Sequence, residues 1–457
     1  MRQNSFKIVA VKTAIFRVAF SSASWLAIGL AVISVSRMAL AELRPSTPAQ
    51  YLNYGEAVQV ALHDNADLLA LREQESSFKI RSQQALAPNN PVFSIVKTDV
   101  PGFSVSQMAA EDQYQVTYVL GFPGKAFQAS ALIRFQAEAT RELAYAKEID
   151  LMTSLSNNFV AFANNQKIYD FLLDEQRRDK DLKRLLEKKF AASQAAKVDL
   201  LNAEVVSQGL AQSVLENRNE FETLVTQFRQ LIRRPDDRNL YPAVARDIVV
   251  PEVTQSLDAL TDLMLSRRPA LRGGARQVAG SEASLTLAKL SLLPDFQFSA
   301  GINVWNQPNA APNPGVLRDY ALGVGIAIPL FFPFNEFQGI NAARHDLAAA
   351  RSTFESLRIQ ALADLQTAYT GYVASRKELD SLSKLVIPAA KASYDLTLLT
   401  YGLGRADYFR LNEARKSWLD SEKSYLAKRQ THAQLYNQMI AQVGCDFATS
   451  EGPYACK

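Results

Sequence analysis

The sequence is poor in the residues that build metal and redox sites. It has only two cysteines and three histidines among 457 residues. His63, His345 and His432 stand far apart, and none is paired with a second histidine or a cysteine at metal-ligand spacing. Phosphate-binding loops, nucleophile elbows and paired-carboxylate motifs are lacking too. We therefore expect no metal site, no cofactor and no enzymatic activity.

Long apolar runs are absent after residue 41. The run Ala23–Val35 follows a basic stretch and precedes the small-residue sequence Ala39-Leu40-Ala41, an order typical of a secretory signal peptide. We assign residues 1–41 to such a peptide; an uncleaved N-terminal membrane anchor is the alternative. Without this segment the chain has 45 basic and 46 acidic residues, so nothing indicates nucleic-acid binding.

Both cysteines lie near the C-terminus. A disulfide between Cys445 and Cys456 would close the tail in an oxidising compartment, and two free thiols are the alternative.

Glycine and proline are absent from Lys125 to Gln208. A straight helix of that length would exceed about 100 Å. We therefore predict two long antiparallel helices with a turn near Phe190–Lys197. In the second half a helical seam includes Leu411, Ala414 and Trp418, spaced so that helices pack side by side.

The chain contains an internal duplication. Three segments recur in the same order: NNPVF matches LLPDF, YQVTYVLGFP matches YALGVGIAIP, and FAASQAAKVDLLNAE matches YGLGRADYFRLNEAR. The separation grows slowly along the chain, which indicates one long repeat rather than a solenoid. Each half is predicted to run helix, strand, loop, strand, long helix.

Four segments alternate apolar and polar residues over about ten positions. The alternation is clearest at 113–122, 294–305 and 319–329, and weaker at about 91–100. Ten residues is the length of a tilted membrane-spanning strand, although a half-buried soluble sheet alternates in the same way. Four strands cannot close a barrel in lipid, so membrane strands would have to come from several copies. All helices would then lie on one side of the membrane.

This organisation resembles the TolC-type outer-membrane factor family. The duplicated layout, the YGLGRADYFRLNEA segment and the opening AVQVALHDNADLLALR carry the resemblance, which covers Glu42 to about Cys445. It implies an α+β membrane protein: a homotrimer whose protomers each give four strands to a 12-stranded outer-membrane β-barrel, continued by a long periplasmic α-helical barrel. It also implies contact with outer-membrane lipid and two partners, a periplasmic adaptor (membrane fusion protein) and an inner-membrane pump, in a Gram-negative bacterium.

The resemblance also suggests a site at the helical tips. Tyr401 and Gly404 match the family's Y-x-x-G, and Glu413 falls where an acidic pore residue is common, but Arg410 stands where a second acid is expected. A mixed ring, with Arg410 paired to Asp407 or Glu413 across helices, is one interpretation; a solvated i, i+3 pair on a helix face is the other. The complete sets of predicted residues are Glu413, Arg410, Asp407, Asp199 and Asn202 for the pore constriction, and Tyr401, Gly402, Leu403, Gly404, Phe190, Ala191 and Ala192 for the tip and adaptor contact.

The predicted divisions follow from the repeat. They are a signal peptide (1–41), a first repeat (42–250) with a tip turn at about 190–197, a second repeat (251–445) with a tip turn at about 400–406, and a C-terminal tail (446–457). We predict an outer-membrane efflux or secretion channel. A soluble periplasmic coiled-coil adaptor is the alternative, and a secreted enzyme finds no support in any residue pattern.

Overall fold

The computed structural model describes residues 49–98, 111–243, 250–305 and 317–445. The chain divides into two units, Met1–Gln50 and Tyr51–Lys457, and the elements below belong almost entirely to the second. The predicted signal peptide (1–41) and C-terminal tail (446–457) lie outside the described residues. Among the residues described, none of the helices is both long enough and apolar enough to span a membrane.

The two halves of the chain run through the same series of elements. The first half contains β1 (Gln50–Leu52), α1 (Tyr54–Asp64), α2 (Ala66–Gln84), β2 (Val92–Thr98), β3 (Glu111–Leu120), α3 (Lys125–Ala191) and α4 (Lys197–Leu231). The second contains β4 (Leu240–Pro242), α5 (Leu257–Arg267), α6 (Pro269–Leu290), β5 (Asp295–Trp305), β6 (Leu317–Ala327), α7 (Glu336–Ser381), a π-helical segment (Leu382–Val386), α8 (Ile387–Gly402) and α9 (Tyr408–Val443).

The helical stretch that opens the first half consists of two helices, α1 and α2. The chain leaves helical geometry at Asn65, whose side chain accepts hydrogen bonds from the backbone N–H groups of Asp67 and Leu68. An asparagine that caps a new helix in this way ends the preceding one. The second half breaks at the matching place, where Pro269 opens α6 directly after Arg268.

Four strands form one antiparallel sheet in the order β2-β3-β5-β6. The strands lie within about two residues of the predicted segments. The register joins the two hairpins through β3 and β5, with Tyr114 opposite Ile302 and Tyr118 opposite Phe298. Because side chains alternate across a sheet, this register places all the large alternating residues on one face.

That face is apolar over its whole width. Its members are Phe93, Ile95, Tyr114, Val116, Tyr118, Leu120, Phe296, Phe298, Ala300, Ile302, Tyr320, Leu322, Val324 and Ile326. The other face carries mainly small and polar residues, such as Gln115, Gln297, Ser299 and Gly323. Leu322 in the edge strand β6 is 89% exposed, so the apolar face is uncovered in one protomer.

The helices pack in two layers that share α3. Next to the sheet the order is α2-α3-α6-α7, and toward the tips it is α4-α3-α9-α8. Asparagines fix the second layer. The half-buried Asn157 accepts a hydrogen bond from Asn437 of α9, the buried Asn164 donates to Gln430 of α9, and the buried Asn165 donates to the Asn217 carbonyl of α4. Buried amides that must find their partners favour one register over its neighbours.

One polar cluster joins the two repeats where the sheet meets the helices. Asp295 at the start of β5 accepts hydrogen bonds from the Phe122 backbone (2.8 Å) and from Lys125 Nζ (2.7 Å). Lys125 Nζ also donates to the Leu293 carbonyl at 2.9 Å. These bonds tie the entry of β5 to the exit of β3.

Both tip turns use the same backbone motif. In the second, the N–H groups of Gly404 and Arg405 donate to the carbonyls of Tyr401 and Thr400, and Gly404 has φ +75°. The first turn has the same pair of bonds, from Ser193 to Phe190 and from Gln194 to Lys189. This is a Schellman motif, whose left-handed position favours glycine. Ser193 occupies that position with φ 56°.

Exchanging the residues at the two left-handed positions tests this strain. Ser193→Gly should raise the free energy of unfolding by about 0.5–1 kcal/mol, because a left-handed backbone is costly for a residue with a Cβ. Gly404→Ser should lower it by a similar amount, since open space around Gly404 leaves only the backbone cost. Helical circular dichroism of the full chain during thermal unfolding measures both. Equal midpoints for the two variants would contradict the prediction.

Candidate functional site at the helical tips

The two tip turns contact each other through Lys189. This α3 side chain is buried, donates to the Gly402 carbonyl at 3.2 Å and lies 5.0 Å from the centre of the Tyr401 ring. Tyr401 itself is buried, and its hydroxyl has no hydrogen-bond partner in the described structure. The predicted tip tyrosine therefore supports the turn from inside.

The other predicted tip residues are exposed. Phe190 and Leu403 present large apolar side chains to solvent, one at each turn. Ala191, Ala192, Gly402 and Gly404 are exposed as well. The exposed members of the predicted tip set are therefore either large and apolar or small.

Asp407 begins α9. Its carboxylate accepts a hydrogen bond from the Arg410 backbone N–H at 2.8 Å, as an N-cap residue does. The Arg410 and Glu413 side chains are exposed, and neither forms an ion pair with any other residue that the structure describes. Asp407 thus caps its own helix, and the pairing of Arg410 with Asp407 or Glu413 across helices stays a prediction.

Asp199 plays a similar local role in the first tip. Its carboxylate accepts from the Ala196 backbone N–H at 3.2 Å, and Asn202 one turn later is exposed. Burial first, and then the charge of Asp199, raises the pKa of the Tyr401 phenol. The structure thus brings Asp199 close to Tyr401, while Arg410, Glu413 and Asn202 remain at the surface.

A buried charge cluster lies about two to three helical turns from the tip turns. Arg415 of α9 is only 2% exposed. It donates to Asp179 Oδ1 of α3 at 2.6 Å, and its second nitrogen lies 3.7 Å from Glu175 Oε2. Both Glu175 oxygens are buried without a hydrogen bond in the described structure. Burial raises the pKa of Glu175, although Arg415 opposes the shift.

Aromatic rings surround this cluster. Trp418 of α9 stacks on Tyr394 of α8 at 5.4 Å, and the Arg178 guanidinium of α3 lies 4.9 Å from the Trp418 ring centre. Burial raises the pKa of Tyr408 to about 12. The cluster therefore joins α3, α8 and α9 in a dry environment where a charge needs a partner.

Arg415, Glu175 and Asp179 were not among the predicted site residues. The seam was predicted to include Ala414, which is only half-buried, whereas Arg415 is the buried residue four positions after Leu411 and three before Trp418. That spacing was the available signal. An arginine at such a position is usually assigned to a helix surface, because its burial requires acids from a distant part of the chain.

Two further predictions concern the C-terminal disulfide and metal binding. Cys445 at the end of α9 is buried and disulfide-bonded, but its predicted partner Cys456 lies outside the described residues, so that pairing stays a prediction. Within the described ranges, no group of three or more histidine, cysteine, aspartate or glutamate side chains could hold a metal ion.

Known proteins are similar to this chain in both sequence and fold. Residues 260–444 match the family model described as "Outer membrane efflux protein". Nodulation protein T of Rhizobium leguminosarum bv. trifolii is 21% identical over 323 residues, which cover 68% of this chain and 67% of that protein.

Solved structures share the fold. The outer-membrane channel OprN is 19% identical with a TM-score of 0.72, covering 86% of this chain and 89% of that one. The outer membrane protein VceC of Vibrio cholerae is 16% identical with a TM-score of 0.70, covering 86% and 96%. The mostly helical chain with a few strands therefore has the fold of outer-membrane channels.

The two acids around Arg415 should respond differently to neutralisation. Asp179→Asn should lower the free energy of unfolding by about 3–5 kcal/mol, because it removes the hydrogen-bonded partner of a buried guanidinium. Glu175→Gln should be neutral or stabilising, since Glu175 bears the cost of burial without a hydrogen bond. Denaturant unfolding of the full chain compares them. Equal losses in the two variants would contradict the assignment.

The same pair predicts a pH dependence. Because burial raises the pKa of Glu175 in the folded chain, the folded state binds this proton more tightly than the unfolded state. Its contribution to stability is therefore fully present below the ordinary glutamate pKa of 4.5 and is lost as pH rises through the higher folded value. The stability of Glu175→Gln relative to the native chain should rise over that interval. A constant difference from pH 4 to pH 8 would contradict this.

Proposed function

We propose that this chain, in which residues 260–444 form an outer membrane efflux protein domain, is a passive, gated conduit of the outer membrane. It would carry substrate from a periplasmic adaptor and an inner-membrane pump to the exterior of a Gram-negative cell. The family resemblance drawn from the sequence is confirmed by the family model and by the fold of solved channels.

The observation that carries the proposal is the uncovered apolar face of the sheet. Tyr320, Leu322 and Val324 are each more than three-quarters exposed, and the same face continues across all four strands. In water such a face would be a liability, whereas in a lipid bilayer it is the outer wall that a membrane strand requires. The strands β3, β5 and β6 have ten or eleven residues, the length needed to cross.

The ends of the apolar face fit the two membrane boundaries. At the hairpin-loop end the face finishes with the charged residues Lys97, Asp112 and Arg318. At the helical end the exposed aromatic side chains Phe331 and Phe334 follow β6. Charged loops and aromatic girdles flank the lipid-facing band of barrel proteins.

The sheet also supports assembly from several copies. Among the described residues, its edge strands β2 and β6 each pair with a strand on one side only, and their outer sides face no other strand. Unpaired backbone groups at a sheet edge are not tolerated in hydrocarbon, so each edge must pair with another copy. We assign three copies and a 12-stranded barrel, as the family resemblance implies, followed by a helical barrel on the periplasmic side.

In the proposed channel the two repeats are residues 42–250 and 251–445, and both tips lie farthest from the membrane. The exposed Phe190 and Leu403 would then meet the adaptor, with Tyr401, Gly402, Gly404, Ala191 and Ala192 shaping the turns. Glu413, Arg410, Asp407, Asp199 and Asn202 would line or frame the narrow periplasmic mouth. Asp407 and Asp199 hold the helix ends, which leaves Arg410 and Glu413 as the charges available to ions.

Cell fractionation separates this function from the soluble-adaptor alternative. The full chain, expressed in a Gram-negative host, should be recovered in the outer-membrane fraction and should require detergent for extraction, because the apolar face of the sheet must be covered. Recovery as a monomer in the periplasmic wash would favour the adaptor alternative and contradict the channel.

Planar-bilayer recording tests the gate. Glu413→Gln should weaken block by multivalent cations applied on the tip side, because it removes an exposed carboxylate that, unlike Asp407, caps no helix end. Asp236→Asn, an exposed acid in the loop after α4, is the matched control and should leave block unchanged. Identical block in the native chain and in Glu413→Gln would remove this residue from the gate.

A further inference from the structure

A buried histidine lies between α9 and α7. His432 of α9 is 8% exposed, and its ring stacks on the Tyr372 ring of α7 with 4.6 Å between the ring centres. Its Nδ1 lies 2.8 Å from Ser375 Oγ, and the Ser375 hydroxyl donates to the Tyr372 carbonyl at 2.8 Å. Because that hydroxyl has a single proton, Nδ1 is the donor to Oγ. A proton taken up in acid therefore goes to Nε2 of the stacked ring.

The hydroxyl of the same tyrosine holds the segment that joins the two repeats. We call residues 250–253 the junction. The Tyr372 hydroxyl donates to the Pro251 carbonyl at 3.2 Å and accepts from the Val253 backbone N–H at 3.3 Å. Val250 and Val253 also pack against the apolar cluster that contains Tyr372. His432 and the junction therefore contact different parts of one side chain, the face of its ring and its hydroxyl.

Two acidic side chains lie on the turns around His432, and each is already paired with a cation. Glu252 of the junction pairs with Arg376 of α7 at 2.7 Å, and Glu378 of α7 pairs with Lys428 of α9 at 2.7 Å. The other side chains on the elements that meet here are Arg429 and Tyr436 of α9, the amides Asn157 and Asn164 of α3, and the apolar Leu260 and Met264 of α5. A protonated His432 would thus meet cations from both helices and no unpaired carboxylate among these groups.

Burial and charge both favour the neutral imidazole. Burial first, and then the positive charge of Arg376, lowers the pKa of His432 from its ordinary value of 6.5, although a hydrogen bond with the Tyr372 backbone opposes the shift. A buried imidazolium beside a guanidinium costs free energy, and contact with water relieves that cost. The ring of Tyr372 covers one face of the imidazole, so hydration of His432 requires Tyr372 to move.

We propose that His432, Tyr372 and the junction form an acid-sensitive clamp, in which protonation of His432 displaces Tyr372 and thereby releases Pro251 and Val253. In the open state His432 meets water and its pKa returns toward 6.5, whereas in the closed state the pKa is lower. The closed junction is therefore fully stable above about pH 6.5 and loses stability as pH falls from there toward the lower folded value. The clamp would make the connection between the two repeats respond to the pH of the surroundings.

Hydrogen–deuterium exchange of the full chain in detergent measures the release. After correction for the intrinsic exchange rate at each pH, peptides that cover the junction should lose up to about tenfold in protection between about pH 7.5 and about pH 5.5. The limit is about tenfold because one pH unit below 6.5 an exposed imidazole is about ten times more often protonated than neutral. Peptides from α3 should keep their protection, because the clamp opens locally.

Three variants assign the response. His432→Gln can still donate to Ser375 but gains no proton, so its junction should be equally protected at both pH values. His345→Gln is the matched control and should show the native loss, because His345 of α7 is exposed. Tyr372→Phe keeps the stacked rings and removes the hydroxyl. Its junction should be weakly protected at both pH values, because it can open while the phenyl ring still covers His432.

Equal losses of protection in the native chain and in His432→Gln would overturn the clamp, and so would an unchanged junction in the native chain. If His432→Gln does not fold, Tyr372→Phe decides, since a loss of native size in that variant would show that the response does not pass through the hydroxyl. A parallel loss in the α3 peptides would indicate that the whole chain loosens and would also overturn a local clamp. All these contacts lie within one protomer, so the result does not depend on the proposed channel.

Discussion

The fold depends on one uninterrupted backbone hydrogen-bond ladder, that of α3. This helix spans 67 residues, about 100 Å at 1.5 Å per residue, and it belongs to both helix layers. It packs against α2 and α6 near the sheet and against α4 and α9 near the tips. Glycine and proline are absent along its whole length, so no helix-breaking residue interrupts its backbone hydrogen bonds. The other helices take their positions in both layers from this continuous axis.

The second repeat has no equivalent ladder, and the difference gives the two repeats separate roles. Its counterpart is divided by the π-helical segment Leu382–Val386, with Pro388 just beyond. Beyond this segment Tyr394 and Tyr401 of α8 are buried, while Leu396, Leu399 and Leu403 are exposed. A local change in helix type therefore sets which residues α8 presents to solvent. Arg415 then fixes α9 to α3 through Asp179. The first repeat thus supplies one continuous helix, and the second supplies a helix whose π-helical segment changes the buried face.

Patterns with a short period were readable from the sequence, and long-range charge pairing was not. The alternation in the strands and the tip turns depend on neighbours within a few residues, and the duplication was readable because short local segments recur in the same order. The break at Asn65 also had a local signal, since an asparagine can cap a new helix. The burial of Arg415 had only its spacing from Leu411 and Trp418 as a signal, because its acidic partners Asp179 and Glu175 stand more than two hundred positions earlier. The π-helical turn is a one-residue insertion that periodicity detects only after the buried stripe is known.

The contact between Lys125 and Asp295 has a mechanical consequence. These residues sit where the sheet passes into the helices, and they bind the exit of one repeat's hairpin to the entry of the other's. If only the backbone connected the strands to the helices, rotation about its torsion angles would absorb a twist of the helices. Here the Lys125 side chain bridges the two connections between the sheet and the helices, and it also donates a hydrogen bond to the Leu293 carbonyl. Torque applied at the far tips would therefore reach the strands as a shear between hairpins instead of being dissipated at the boundary.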